Sequence, residues 1–126
     1  MKRLIAAAII AVLLFSVCLT DYFYVKNSYN TLTENIDKCI AEIEQNDISN
    51  ARFHAEKLEE EWKNRECILS IFINHSIIDE IDTAIIQLTP YIDTGNYDLF
   101  ITQCAVIDLK LTQMREDSTV NLHSIL

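Results

Sequence analysis

Neither glycine nor proline occurs between Leu4 and Gln45, and the first part of that stretch, Leu4 to Leu19, carries no charge. Such a run has few folding options. Without a breaker it propagates as one helix, and its apolar start demands an apolar surrounding. The uncharged residues span about 24 Å at 1.5 Å per residue, against about 30 Å for a bilayer core. Thr20 and the aromatics Tyr22, Phe23 and Tyr24 make up the difference, because aromatic rings favour the headgroup level. Lys2 and Arg3 set a cytoplasmic N-terminus. The segment 1–25 therefore reads as a signal anchor in the cell membrane, bounded by Lys2, Arg3 and Leu4 at one end and by Leu19, Tyr22 and Tyr24 at the other. Two other readings compete. A cleaved signal needs small residues before the cut, which Ser16-Val17-Cys18 and Cys18-Leu19-Thr20 supply poorly. A lipoprotein acylated at Cys18 needs a small residue before it, where this chain has branched Val17. The retained, single-pass anchor is the favoured reading, with the bulk of the chain extracytoplasmic.

Beyond the anchor, residues 26–126 suffice for one small domain. One glycine and one proline in the whole chain are too few for the tight turns of a sheet protein, so the expectation is all-α. With Lys2 and Arg3 set aside, eight basic side chains face nineteen acidic ones. That balance argues against nucleic acid, whose phosphates need a basic surface. It fits a solvated helical exterior.

Apolar residues recur at alternating spacings of three and four. Val25, Tyr29, Leu32, Ile36, Cys39 and Ile43 form one stripe. Ile48, Ala51, Ala55, Leu58, Trp62, Leu69 and Phe72 form a second, interrupted by Arg65. Ile78, Ile81, Ile85, Leu88 and Ile92 form a third, and Tyr97, Phe100, Cys104, Ile107, Leu111 and Met114 a fourth. Each is a narrow seam facing another helix. Breaks fall at Gln45-Asn46-Asp47, Asn74-His75-Ser76 and Thr94-Gly95-Asn96. Asp47 and Asn96 suit N-caps, Gly95 suits a left-handed C-terminal cap, and Ser76-Ile77-Ile78-Asp79 resembles a capping box. Pro90 predicts a kink or a loosened last turn in the third helix.

Shifting the chain by forty-nine residues carries the first stripe onto the third and the second onto the fourth. The breaks coincide too, Asn46-Asp47-Ile48 with Gly95-Asn96-Tyr97. The architecture expected is two similar helical hairpins, about 26–73 and 77–122, forming an antiparallel four-helix bundle continuous with the transmembrane helix.

Candidates for chemistry are sparse. His54, His75 and His123 lie in separate segments, with no metal-binding helix motif. Glu59, Glu60 and Glu61 are consecutive on a helix and diverge. Asp79, Glu80 and Asp82 lack the glycine and ligand spacing of a calcium loop. No nucleophile elbow, phosphate loop or dinucleotide fingerprint occurs. Beyond the anchor lie Cys39, Cys67 and Cys104, an odd number. The simplest reading makes them small buried apolar residues; one disulfide is open to them in an oxidising compartment. The expectation is no enzyme, no catalytic residue, no cofactor and no metal. Trp62, Phe72 and His75 stand out as structural or interaction candidates: a seam tryptophan, a seam phenylalanine near the central break, and a histidine within it.

The basic–apolar start, Leu58-Glu59-Glu60-Glu61-Trp62, Leu69-Ser70-Ile71-Phe72-Ile73-Asn74-His75, Asp79-Glu80-Ile81-Asp82 and the terminal Ile125-Leu126 together resemble one family. It is the four-three-six-three domain-of-unknown-function family of small bacterial proteins. The resemblance spans nearly the whole chain, and the Trp62-to-His75 stretch is its best part. It implies a membrane-anchored helical protein without an assigned activity, supplies no site residue, and points to a multi-span membrane protein of the YetF type as a candidate partner. The expected function is a non-enzymatic accessory or interaction module on the outer face of the cytoplasmic membrane. The alternative is an extracytoplasmic small-molecule sensor bundle that signals through a partner, since only three residues precede the anchor. Heptad-like seams also leave self-association open.

Overall fold

A computed structural model describes residues 1–125, with side chains through Ser118. His123 and Ile125 as side chains, and Leu126 as a whole, lie outside the described residues. The chain forms α1 (Lys2–Glu44), α2 (Ile48–Phe72), α3 (His75–Ile86), α4 (Leu88–Asp93) and α5 (Tyr97–Ile125), with no strand among the described residues. α1 packs on α2 and α5, and α3 and α4 pack on the same two helices. The broken helix α3–α4 therefore stands diagonally across from α1. Short connections make neighbours antiparallel, and the result is an all-α, up-down four-helix bundle.

The seams close on one another. Val25, Leu32, Ile36, Cys39 and Ile43 of α1, Ala51, Ala55, Leu58, Trp62 and Leu69 of α2, and Phe100, Cys104, Ile107, Leu111 and Met114 of α5 are all buried, with Ile78, Ile81, Ile85, Leu88 and Ile92 from the third helix. Burial of this apolar surface, at about 25 cal/mol per Å2, is what holds the helices together. Four seam members sit at its edge. Tyr29, Ile48 and Phe72 are half-buried against the core, and Tyr97 is exposed.

α1 leaves this core without breaking. Val25 is its first buried residue. Below it, Leu4, Ile9, Leu13 and Val17 are 54–76% exposed. The helix is long and apolar enough to cross a membrane: one eighteen-residue stretch has a mean hydropathy of 2.5 and none of it is buried. From Leu4 to Tyr24 it is about 30 Å long.

The two hairpin turns are built alike. After α1, Asn46 adopts φ 60°; its N–H donates to Ile43 O at 3.0 Å, and the Asp47 N–H to Glu42 O at 2.8 Å. After α4, Gly95 adopts φ 73°; its N–H donates to Ile92 O at 3.1 Å, and the Asn96 N–H to Tyr91 O at 2.9 Å. Both are the paired six-to-one and five-to-two bonds of a Schellman ending, forty-nine positions apart, so the repeat in the sequence is a repeat of backbone geometry. Asp47 then caps α2, accepting from Asn50 N at 3.3 Å. A Cβ placed on Gly95 would meet nothing within 4 Å, so Gly95→Ala isolates the backbone strain of a left-handed residue. It is expected to cost about 1–2 kcal/mol, whereas Asn46→Gly should change stability by less than about 0.5 kcal/mol. Urea unfolding of the two variants checks both.

The expected disturbance of the third helix by Pro90 is present, and one local expectation is corrected. The third helix breaks at Gln87, ahead of Pro90, and then resumes as α4. A proline ring clashes with the carbonyl four residues back; here that is Ile86, the last residue of α3, so the strain is released a full turn upstream and the seam still reaches Ile92. The corrected expectation is the cap of α3, which Ser76 does not supply. The cap is Asn74, whose side-chain oxygen accepts from Ser76 N at 2.9 Å, while its carbonyl receives the N–H groups of Ile77 and Ile78. Asn caps as well as Ser, and the helix starts at His75.

Candidate membrane-proximal interaction site

The end of the bundle from which bare α1 emerges is the place where most of the singled-out residues can be compared. Its level is set by cross-helix contacts. Arg65 of α2, the interruption in the second seam, donates from Nη1 to Ser28 Oγ of α1 at 3.1 Å and pairs with Glu61 at 3.5 Å. Ser28 is fully buried; a small hydroxyl there makes room for the guanidinium and accepts from it, which explains how one cation interrupts an apolar seam without opening it. On the opposite flank, Arg115 of α5 lies over the Tyr29 ring, 4.5 Å from its centroid. These contacts form a polar tier one turn above Val25, the first buried residue of α1.

α2 runs antiparallel to α1, so Ile71 lies about 9 Å beyond Arg65 along the helix, level with the Tyr22–Tyr24 aromatics. Ile71 is 72% exposed, Phe23 61% and Ile68 43%. Tyr22 and Phe23 meet edge to face at 5.7 Å. Exposed apolar side chains of α1 and α2 thus form a rim on one side of the bundle's base, at the height where the apolar part of α1 ends. Leu19, Tyr22 and Tyr24 are half-buried at this boundary, and Lys2, Arg3 and Leu4 lie at the far end of α1, exposed.

The three side chains singled out in the domain do not converge. Trp62 is fully buried, and its indole Nε1–H donates to Asp82 Oδ1 of α3 at 3.1 Å; it offers a partner no surface. Phe72 covers the core edge beside the α2–α3 turn. His75 opens α3 and is exposed. His54 instead finds Glu42 of α1 at 2.7 Å, an inter-helix link that residue spacing alone does not reveal. The three consecutive glutamates diverge: Glu59 pairs with Lys63 at 3.0 Å and Glu61 with Arg65. Glu66 has its pKa raised, by burial first and then by the neighbouring Asp82 and Asp79 carboxylates, which marks a concentration of negative charge along the α2–α3 face.

Of the cysteines, Cys39 and Cys104 are buried as expected of small apolar residues, but Cys67 is exposed. It falls between seam positions of α2, on the solvent side. Among the described residues no three His, Cys, Asp or Glu side chains are grouped to hold a metal ion. A shallow groove of about 450 Å3 runs between α3 and α5, bordered by Asp79, Glu80, Gln87, Gln103 and Lys110. Four of its polar side chains are engaged: Lys110 with Glu80 at 3.0 Å, and Gln103 with Gln87 Oε1 and with Ala84 O, each at 3.0 Å.

Searches among curated proteins and among solved structures give no match. A family described as a domain of unknown function (DUF4363) matches residues 19–125, which takes in the base of α1, its aromatics and every helix of the bundle. The chain belongs to the DUF4363 family.

Proposed function

We propose that this protein is a membrane-anchored, non-enzymatic accessory module on the outer face of the cytoplasmic membrane, which holds an acidic helical bundle against the bilayer for a membrane-protein partner. The observation that carries the reading is α1. One helix of forty-three residues supplies both the apolar, unburied stretch and a full wall of the core. A flexible tether would let the bundle tumble; a continuous helix fixes its height and facing. Lys2 and Arg3 orient the anchor with its N-terminus in the cytoplasm, and the rim of Phe23, Ile68 and Ile71 then lies at the headgroup level, where apolar and aromatic side chains are favoured. The partner is a multi-span protein, of the YetF type that the family resemblance points to, whose membrane-proximal face meets this rim.

The sensor alternative would use the groove between α3 and α5. That groove is open to solvent, and Lys110, Glu80, Gln87 and Gln103 are bonded in pairs across it, whereas small-molecule sites are enclosed and keep convergent polar groups for the ligand. The accessory reading is favoured on that ground.

A photo-crosslinking side chain at position 71, activated in intact cells, tests it. The reading expects one discrete membrane-protein adduct, absent when the same group is placed at exposed Phe53 near the far end of the bundle. Recovery of lipid adducts alone, under conditions that capture established membrane complexes, would count against an accessory role.

A further inference from the structure

We propose that Cys39 and Cys104 are a disulfide-competent pair, a redox site that on oxidation links α1 to α5 and leaves Cys67 free. The sequence places Cys39 and Cys104 on seams and Cys67 on none, and the bundle sets the first two on helices that face each other. Both residues are fully buried in one core cluster, on helices that pack directly against each other. Their heights agree independently of the sulfurs. Arg115 lies over Tyr29; from that contact, Cys104 is about 16 Å up α5 and Cys39 about 15 Å up antiparallel α1. The two thiols are neighbours, Cys39 being the largest influence on the Cys104 thiol, while Cys39 Sγ donates to Ala51 O of α2 at 4.0 Å. Cys67 is on the solvent side of α2.

The same contact dictates when the bond forms. The neighbouring Cys39 thiol, and burial after it, push the Cys104 thiol far above its ordinary pKa. A thiol without thiolate character is a poor nucleophile, so the closed bundle is inert and the exchange belongs to the chain before α5 docks, or during its transient undocking. One cysteine thiolate attacks a sulfur of an external disulfide, of the glutathione or dithiol-oxidase class, and expels one thiolate. The second cysteine attacks the resulting mixed disulfide at the protein sulfur and expels the other. Two protein thiols become one disulfide; the reagent takes up the two electrons and two protons and leaves as two thiols. The bond would close a long loop, from the helix that enters the membrane to the last helix of the bundle, and long loops gain most from closure.

The test is refolding of the full-length protein from denaturant into detergent micelles, with mixed oxidised and reduced glutathione. Proteolytic mapping without reductant should give one linked peptide pair, Cys39 with Cys104, with Cys67 still alkylatable. Tm should rise by about 10 °C or more over the reduced protein, and the rise should vanish in Cys39→Ala and in Cys104→Ala while persisting in Cys67→Ser. Both thiols remaining alkylatable after unfolding, or a link to Cys67, would overturn the proposal. The occurrence of the bond in cells rests on the outward placement proposed above. Maleimide trapping before lysis separates the two ideas: a pair that links in glutathione but is found reduced in cells upholds the site and defeats the outward placement.

Discussion

Trp62→Ala is expected to cost the bundle about 3–5 kcal/mol and to lower Tm by roughly 12 °C or more. Trp62 is the largest fully buried side chain in the structure, and two losses combine there. Removing the indole empties a space between α2 and its neighbours that backbone helices cannot collapse to fill. It also strands Asp82, a half-buried carboxylate that now accepts the indole N–H at 3.1 Å. Trp62→Phe separates the two. It keeps most of the volume and gives up the hydrogen bond to a charged acceptor, for about 1.5–3 kcal/mol. Urea unfolding of both variants in micelles measures this; an alanine variant within about 1 kcal/mol of the parent would mean that Trp62 is not the packing centre of α2.

Insertion of Gly-Pro after Tyr24 has the other large expected effect, on function rather than on the core. The site precedes Val25, the first buried residue of α1, so the bundle keeps its packing and the apolar stretch keeps its length. What changes is the joint. Proline removes a helical hydrogen bond and clashes with the preceding turn, and glycine adds backbone freedom, so the bundle swings and the rim at Phe23, Ile68 and Ile71 loses its fixed facing. Carbonate extraction should still find the protein in the membrane. The adduct formed from position 71 should fall about tenfold or more, the change that about 1.4 kcal/mol of lost docking free energy produces. Undiminished crosslinking would reduce the anchor to a tether.

These expectations draw on features of unequal visibility in the sequence. The seams were legible because each helix of a small bundle buries one narrow face, and alternating three–four spacing has no competing explanation. The hairpin breaks were legible because left-handed endings select Gly and Asn, and the matched Schellman turns at Asn46 and Gly95 show the echo between the halves to be structural. Three things were not. Ser28 belongs to no apolar stripe, because its burial depends on Arg65 arriving from another helix. Cys39 and Cys104 showed only as seam residues, since their pairing depends on α1 lying beside α5 and on their relative heights. Ile71 sits beside seam residues and would be an ordinary surface isoleucine elsewhere; its height beside Tyr22–Tyr24 is what gives it meaning. Each of these is a property of how helices are arranged, which spacing within one helix does not encode.

The continuity of α1 through the base of the bundle is the claim on which the rest depends, and amide hydrogen exchange of the full-length protein in lipid nanodiscs tests it most directly. If one helix joins the anchor to the bundle, protection extends without a gap from residue 16 to residue 28, rising into the core beyond Val25. Fast exchange confined to residues 20–25, with protection on either side, would show two helices joined by a hinge and would contradict the account.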